Sequence, residues 1–214
     1  MQDQPIENTE EQPEPWHKGP IKWILSIFLL LLIVTLSIPY YSIKLDPNPN
    51  YIPEIDEVIP EDIELKNKTA NNYLEMLEPY DPLIKRAADR IVSKSGCQTK
   101  VCSTKATFYF VRDKFDYVND PLRFEYLKSA RESLVTQNGD CDDAAILAAN
   151  LLQSIGIRTR FVFIPGHVYI EAHLPEALRR YKSGQDWVPL DLTCRYCEFG
   201  EVSWKTPAEK SYLE

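Results

Sequence analysis

An uncharged apolar run near the N-terminus divides this chain into parts that must fold in different solvents. Residues 23–38 carry no charged side chain, and with Tyr40 and Tyr41 behind them they would form a helix about 28 Å long. That length matches the hydrocarbon core of a bilayer, and Trp23 and the tyrosines suit its two interfaces. A cleaved signal peptide is the alternative, but a long acidic segment precedes the run and no small-residue cleavage site follows it. The sequence therefore predicts one retained transmembrane helix at residues 21–41.

The charges that flank the run favour a cytoplasmic N-terminus. Lys18 and Lys22 precede it, whereas only Lys44 follows closely, and basic residues collect on the cytoplasmic side of a span. The triplet Asn67-Lys68-Thr69, an acceptor for N-glycosylation, and the five cysteines agree with this orientation. We therefore expect a single-pass protein of the cell membrane whose C-terminal domain is extracytoplasmic.

The rest of the chain has room for one domain of ordinary size. Residues 1–20 are acidic, contain proline and lack a periodic apolar pattern, which predicts a disordered tail. Residues 42–68 are rich in proline and predict an extended stalk that lifts the domain off the bilayer. The folded domain is then expected at residues 69–214.

The charge balance argues against nucleic acid as a partner. The chain carries 24 lysine and arginine residues against 32 aspartate and glutamate residues, a net charge of -8. The basic residues are scattered rather than gathered on one face, so phosphate groups have no obvious binding surface. We therefore expect no nucleic-acid binding.

Periodic apolar patterns predict an α+β domain with helices first and strands last. Apolar residues recur at helical spacing over residues 69–94, and Pro79 and Pro82 divide this stretch into two helices. The helix between Gly139 and Gly156 has apolar residues on one face at steps of three and four, which is typical of a central helix packed on a small antiparallel sheet. Further elements are expected as a helix at 103–114, an extended piece at 115–118, a turn at 119–121, and consecutive antiparallel strands at 159–164, 167–174 and 187–192.

A cysteine opens that central helix. In the first turn, unpaired N–H groups and the positive end of the helix dipole stabilise the thiolate of Cys141, which would make it a nucleophile. The plainer interpretation is a small buried apolar residue. Asp140, Asp142 and Asp143 stabilise the start of the helix but disfavour a negative sulfur.

The alternation of two predicted strands places a histidine and an aspartate on one face of the sheet. Apolar residues alternate with a polar set that includes His167 in one strand and Asp191 in the other. Neighbouring strands could therefore present these two side chains to each other, and to Cys141, as a nucleophile, a base and an orienting carboxylate. His173 lies six residues along the strand from His167, about 20 Å away, and is expected on the solvated surface.

These residues sit in motifs that resemble the transglutaminase-like superfamily, whose members have a papain-like fold. The similarity covers about residues 70–195. The matching stretches are 110–117 (FVRDKFDY), 139–144 (GDCDDA), 151–160 (LLQSIGIRTR), 166–171 (GHVYIE) and 187–191 (WVPLD).

The resemblance implies a role for each of three residues. Cys141 would be the nucleophile, His167 the base and then the acid, and Asp191 the carboxylate that holds the imidazole. An enzyme of this family would form a thioacyl intermediate on a peptide or protein amide, which water or an amine resolves. No cofactor or metal is expected, and the Cys141 backbone N–H is a candidate oxyanion donor.

The other four cysteines leave two interpretations open. Outside the cytoplasm they would form two disulfides of undetermined connectivity from Cys97, Cys102, Cys194 and Cys197. Alternatively, the two pairs could bind zinc and stabilise a cytoplasmic structural domain. A third possible function is a catalytically silent binding or assembly module whose aspartates around the central cysteine meet a cationic partner.

Overall fold

A computed structural model describes residues 20–59, 72–120, 126–203 and 210–214, with the side chains of residues 39–45 excepted. The chain divides into two units, Met1–Lys44 and Leu45–Glu214, and each is described by itself. In the first unit, helix α1 (Ile21–Leu45) contains an 18-residue stretch, Ile21–Ile38, that is long and apolar enough to cross a membrane. Its length and composition fit a membrane span or a signal sequence. The predicted tail lies outside the described residues apart from Pro20.

Helices form the first half of the second unit. Helix α2 (Ile55–Val58) is a single turn, and α3 (Pro82–Lys94) begins after Asp81, whose side chain accepts the N–H groups of the first turn. The predicted break at the two prolines is confirmed, since a short 3-10 turn at Leu74–Met76 precedes α3. Helix α4 (Lys100–Lys114) starts three residues earlier than predicted because the Thr99 side chain caps it.

The second half of the unit packs one helix on a sheet, as predicted. Helix α6 (Cys141–Ser154) buries its alanine and leucine residues and packs against strands β3 (Thr159–Ile164) and β4 (His167–His173), and strand β5 (Trp187–Leu190) pairs with β4. This sheet also includes the edge strand β6 (Ser211–Leu213), and its pairings are all antiparallel, in the order β5-β4-β3-β6. The extended piece predicted at 115–118 is present as strand β1 (Asp116–Tyr117). The sequence did not predict its parallel pairing with β2 (Asn138–Gly139), helix α5 (Ala130–Thr136) or strand β6.

The segment predicted as a stalk is part of the domain where the structure describes it. Val58 is fully buried, and the Asn50 N–H donates to the Ser95 carbonyl at 3.0 Å. The buried ammonium of Lys105 pairs with Asp46 and donates to Asn48 at 2.7 Å. The stalk prediction is therefore wrong for residues 46–59: proline prevents helix and ladder hydrogen bonds but not the packing of an extended chain. Residues 60–68, and with them the glycosylation triplet, lie outside the described residues.

The four cysteines outside the central helix form two disulfides. Cys97 bonds to Cys102 between α3 and α4, and Cys194 bonds to Cys197 after β5. Cys141 is the free cysteine. The disulfide prediction is confirmed, and a zinc site made from all four sulfurs is not what this structure contains.

Candidate active site

A capping box fixes the start of α6 and so the position of Cys141. The Asp140 carboxylate accepts the N–H groups of Asp142 at 3.1 Å and Asp143 at 3.4 Å, while Asp143 accepts the Asp140 N–H at 3.4 Å. This reciprocal arrangement satisfies the first turn of the helix. The cap does not include the Cys141 N–H, and the Cys141 side chain is half-buried at the first helical position.

Asp143 packs against Gly139 of strand β2, which directly precedes the cap of the helix. A Cβ atom on Gly139 would lie 2.3 Å from Asp143 Oδ2, so only glycine fits there. Asp143 is fully buried, accepts the Lys128 N–H at 2.8 Å and lies 3.6 Å from the Lys128 ammonium. Burial, with the charge of Asp140, raises the pKa of Asp143 to about 6 against the hydrogen bond and charge of Lys128. Because Asp142 is also buried, these aspartates do not form an exposed acidic face.

The predicted histidine and aspartate are hydrogen-bonded to each other. His167 Nε2 lies 3.1 Å from Asp191 Oδ1, and Asp191 is buried beyond the end of β5. Asp191 Oδ2 accepts the N–H and hydroxyl of Ser203 at 3.0 and 2.8 Å, and Thr193 Oγ1 lies 3.4 Å from Oδ1. Burial opposes the charge, but the bonds from His167 and Ser203 hold the pKa of Asp191 below its usual range.

The Cys141 thiol lies beside the same imidazole. Its sulfur is 3.8 Å from Asp142 Oδ1, and its proximity to His167 is one of the causes of the shifted pKa of that histidine. Burial of His167 lowers its pKa, but the hydrogen bonds and negative charges of Asp191 and Cys141 prevail and raise it to about 9. At neutral pH the ring is therefore protonated, and its positive charge lies between Cys141 and the Asp191 carboxylate.

An exposed tyrosine stands beside the cysteine. Tyr117 in β1 pairs with Gly139 in β2, and the Val118 N–H donates to the Gly139 carbonyl at 2.8 Å. Partial burial raises the pKa of Tyr117, and so do the nearby charges of Cys141 and the two aspartates that flank it. Nothing in the apolar pattern of residues 115–118 indicated this proximity, which depends on the parallel pairing.

The opposite end of the same sheet face holds a second ion pair. Glu171 is fully buried, and its Oε2 accepts Arg160 Nε at 2.8 Å and a terminal nitrogen of Arg160 at 2.6 Å. Its Oε1 accepts the Ser183 hydroxyl at 2.7 Å. The guanidinium lies 4.2 Å from the ring centroids of both Trp187 and Tyr212. Every oxygen of Glu171 therefore has a partner.

The third histidine, His173, lies at the opposite end of β4 from His167 and is only partly exposed. It packs edge-on against Trp187, with ring centroids 5.1 Å apart. The prediction of a solvated side chain missed this contact, because Trp187 of the neighbouring strand β5 covers part of the imidazole. Alternation identifies the two faces of a strand but does not say whether the second one is exposed.

Two clusters in the described part of the chain have donor atoms close enough for a metal. One consists of Asp140, Cys141 and Asp142, and the other of Asp191, Cys194 and Cys197; within each, one donor atom per residue lies within 4.8 Å of the others. The first contains the free thiol. In the second, both sulfurs belong to the disulfide.

Comparison with known proteins agrees with the resemblance noted in the sequence. No curated protein matches the chain. A solved structure, a candidate cysteine protease from Cytophaga hutchinsonii, is similar at 16% identity with a TM-score of 0.41. The match covers 64% of this chain and 46% of that one, so the chain spans less than half of that protein. A family model described as the transglutaminase-like superfamily matches residues 85–192, just over half of the sequence. The chain belongs to the transglutaminase-like superfamily.

Proposed function

We propose that this protein is a membrane-tethered thiol enzyme that attacks amide bonds of peptides or proteins. The observation that carries the proposal is the placement of the free cysteine, Cys141, beside His167, whose imidazole is hydrogen-bonded to the buried Asp191. In this assignment the Cys141 sulfur adds to the amide carbonyl and His167 delivers a proton to the leaving amine. Asp191 fixes the orientation of the imidazole. Water or a second amine then resolves the thioacyl intermediate, with hydrolysis or transamidation as the result.

The start of α6 supplies the remaining chemical requirement. A tetrahedral intermediate on the Cys141 sulfur carries a negative oxygen, which needs N–H donors placed in advance. The Cys141 N–H is the candidate donor, because the Asp140 cap takes up the next two N–H groups and not this one. The positive end of the helix dipole acts in the same direction.

The anchor and the orientation are part of the same proposal. Helix α1 would hold the domain at a membrane, with the N-terminus in the cytoplasm and the enzyme on the extracytoplasmic side. The two disulfides support an extracytoplasmic location of the domain, because such bonds persist in oxidising compartments. Substrates would then be peptides or proteins that reach the extracytoplasmic face of the membrane in which α1 is anchored.

A silent binding module has less support from the described residues. That alternative needs an acidic face around Cys141, but Asp142 and Asp143 are buried. The Asp140 carboxylate accepts N–H groups of the first helical turn, and Asp143 accepts the N–H groups of Asp140 and Lys128. A docking surface would not need a histidine that lies beside the free cysteine and is hydrogen-bonded to a buried carboxylate. The enzyme is therefore the function that we retain.

The test is a peptide screen with the full-length protein in detergent. Wild type, Cys141→Ser and His173→Ala are incubated with a tryptic peptide mixture, with and without a biotinylated primary amine. Mass spectrometry then identifies cleaved, deamidated or amine-labelled peptides. We expect modified peptides with wild type and with His173→Ala, and none with Cys141→Ser. Identical peptide profiles for wild type and Cys141→Ser would refute the proposal.

Alkylation gives a second test that needs no substrate. Iodoacetamide should label Cys141 faster than free cysteine, because the sulfur is half-buried beside the protonated His167 and at the start of a helix. The four disulfide-bonded cysteines serve as internal controls and should stay unlabelled in the native protein. A Cys141 that reacts no faster than free cysteine would contradict an activated nucleophile.

A further inference from the structure

The loop after β5 brings a carboxylate and two sulfurs together next to the proposed triad. Asp191, Cys194 and Cys197 are buried, and one carboxylate oxygen and both sulfurs lie within 4.8 Å of one another. A turn closes the loop, with the Cys197 N–H donating to the Cys194 carbonyl at 3.1 Å. Two cysteines separated by two residues, with an aspartate close by, offer the donor types that zinc takes in proteins.

The disulfide keeps these sulfurs from binding a metal. A small dithiol would reduce it by thiol–disulfide exchange: the Cys194–Cys197 bond breaks, each sulfur gains a proton, and the dithiol becomes a disulfide. A divalent ion could then bind as the two thiols release their protons. Two thiolates and one carboxylate make three protein ligands, which leaves a fourth zinc position for water.

The bonds of Asp191 indicate what metal binding would disturb. A carboxylate offers about four lone-pair sites, and the donors on Asp191 come from His167, Thr193 and Ser203. A metal ion must therefore displace one of them. The contacts to Oδ1, 3.1 Å from His167 and 3.4 Å from Thr193, are longer than the Ser203 bonds to Oδ2. We therefore expect a metal ion to displace the contacts to Oδ1, the carboxylate oxygen that faces His167.

The second disulfide provides an internal contrast. In the described part of the chain, no carboxylate or imidazole joins Cys97 and Cys102 in a comparable cluster. Their reduction would free two thiols without a third ligand. Two protein ligands are fewer than zinc sites use, so this pair should bind zinc weakly.

We infer that the reduced protein has a zinc-type metal site at Asp191, Cys194 and Cys197, and that metal binding draws Asp191 away from His167. Reduction followed by metal binding would then inhibit the enzyme. In the oxidised protein, Asp191 keeps its hydrogen bond to the imidazole. The inhibition rests on the proposed function. The metal site itself does not.

The experiment measures metal binding directly. Full-length Cys141→Ala protein in detergent removes the free thiol as a competing ligand. It is reduced with dithiothreitol, desalted without oxygen and titrated with zinc chloride, with bound zinc measured after equilibrium dialysis. Cobalt(II) in a parallel titration reports sulfur ligation by its charge-transfer absorption. We expect one tightly bound ion in the reduced protein and none in the oxidised protein.

Matched variants identify the ligands. In the reduced Cys141→Ala protein, Cys97→Ser/Cys102→Ser should bind zinc normally, while Cys194→Ser/Cys197→Ser should lose it. Asp191→Asn should weaken binding at least about tenfold, the minimum that loss of even an outer-shell partner costs. Circular dichroism checks that each variant is folded.

A protection assay answers the same question without new substitutions at the site. In the reduced Cys141→Ala protein, zinc should slow the alkylation of Cys194 and Cys197 but not that of Cys97 and Cys102. Equal protection of both pairs, zinc binding by the oxidised protein, or full binding by Cys194→Ser/Cys197→Ser would overturn the inference. None of these outcomes depends on whether a substrate of the enzyme has been found.

Discussion

Two buried ion pairs occupy the same face of one sheet, and they differ in whether a side-chain group is left to contact a third residue. Arg160 and Glu171 face each other across β3 and β4, where both oxygens of the carboxylate are bonded and two aromatic rings flank the guanidinium. His167 and Asp191 lie at the opposite end of β4 and β5, and the imidazole also lies beside the Cys141 thiol.

The difference shows how the same type of interaction can serve stability or chemistry. A buried ion pair whose hydrogen-bonding groups are all satisfied can hold strands in register but has no group left to react. The His167–Asp191 pair is fixed from one side by Ser203 and is open on the other side to a nucleophile. Substitutions in the first pair should thus change folding, and substitutions in the second should change reactivity.

The largest effect is expected for His167→Ala. Loss of the imidazole removes the proton donor and the partner of the Cys141 sulfur, so amide turnover should fall by at least about 10⁴-fold. The matched control is His173→Ala on the same strand and face, which should keep wild-type turnover. Rates on a peptide found in the screen provide the measurement. A similar loss in both variants would mean that the strand, and not the triad, had been damaged.

Asp191→Asn should follow, with a fall of about 10³-fold in turnover. The amide keeps the shape but not the charge that orients and stabilises the protonated imidazole. Asp186→Asn, a half-buried aspartate before β5 that pairs with Lys182, is the control and should keep wild-type turnover. Turnover and urea unfolding are compared for both variants. Wild-type turnover in Asp191→Asn would remove Asp191 from the proposed triad.

Glu171→Gln should lower stability and leave the chemistry intact. The change leaves the Arg160 guanidinium without its buried counter-charge, which should lower the free energy of unfolding by about 3 kcal/mol. Exposed Glu176→Gln is the control and should be neutral. Urea denaturation followed by tryptophan fluorescence gives the free energies, and turnover per folded molecule should stay at the wild-type level. A loss of turnover without a loss of stability would contradict the contrast between the two pairs.

The smallest effect concerns the pH dependence of stability. The pKa of Asp143 is about 6 in the folded protein and ordinarily 3.8. Between these values the folded state keeps a proton that the unfolded chain releases, so stability falls as pH rises from about 4 to about 6. We expect a contribution of about 2 kcal/mol, reduced from the full shift by residual solvation.

Asp143→Asn tests this contribution directly. The neutral amide cannot ionise, so the fall in stability across that pH range should flatten in urea denaturation series. Exposed Asp56→Asn should retain the wild-type slope. An unchanged slope in Asp143→Asn would mean that another group causes the dependence.

The sequence predicted the parts of the fold that carry a strong repeating pattern. The helix that begins at Cys141 and the strand that begins at His167 have clear apolar periodicity, and both are present where they were expected. The hydrogen bond from His167 to Asp191 followed from the alternation of two strands. The catalytic roles of these residues remain predictions.

The rest depended on tertiary contacts that leave little trace in a local pattern. Strand β6 has three residues, too few to show alternation, yet it helps to cover the polar side of the sheet. The proline-rich segment at 46–59 gave no sign that a buried Lys105 needed the Asp46 carboxylate. Ser203 lies twelve residues beyond Asp191, and only folding brings its hydroxyl to the carboxylate.

The contact between Gly139 and Asp143 constrains which sequences can use this site. With a Cβ only 2.3 Å from a buried carboxylate, any other residue at 139 forces Asp143 out of the cap that begins the Cys141 helix. A related chain could then keep cysteine, histidine and aspartate and still have a misplaced nucleophile. A glycine two residues before the cysteine is thus as informative as the three residues of the proposed triad when such sequences are compared.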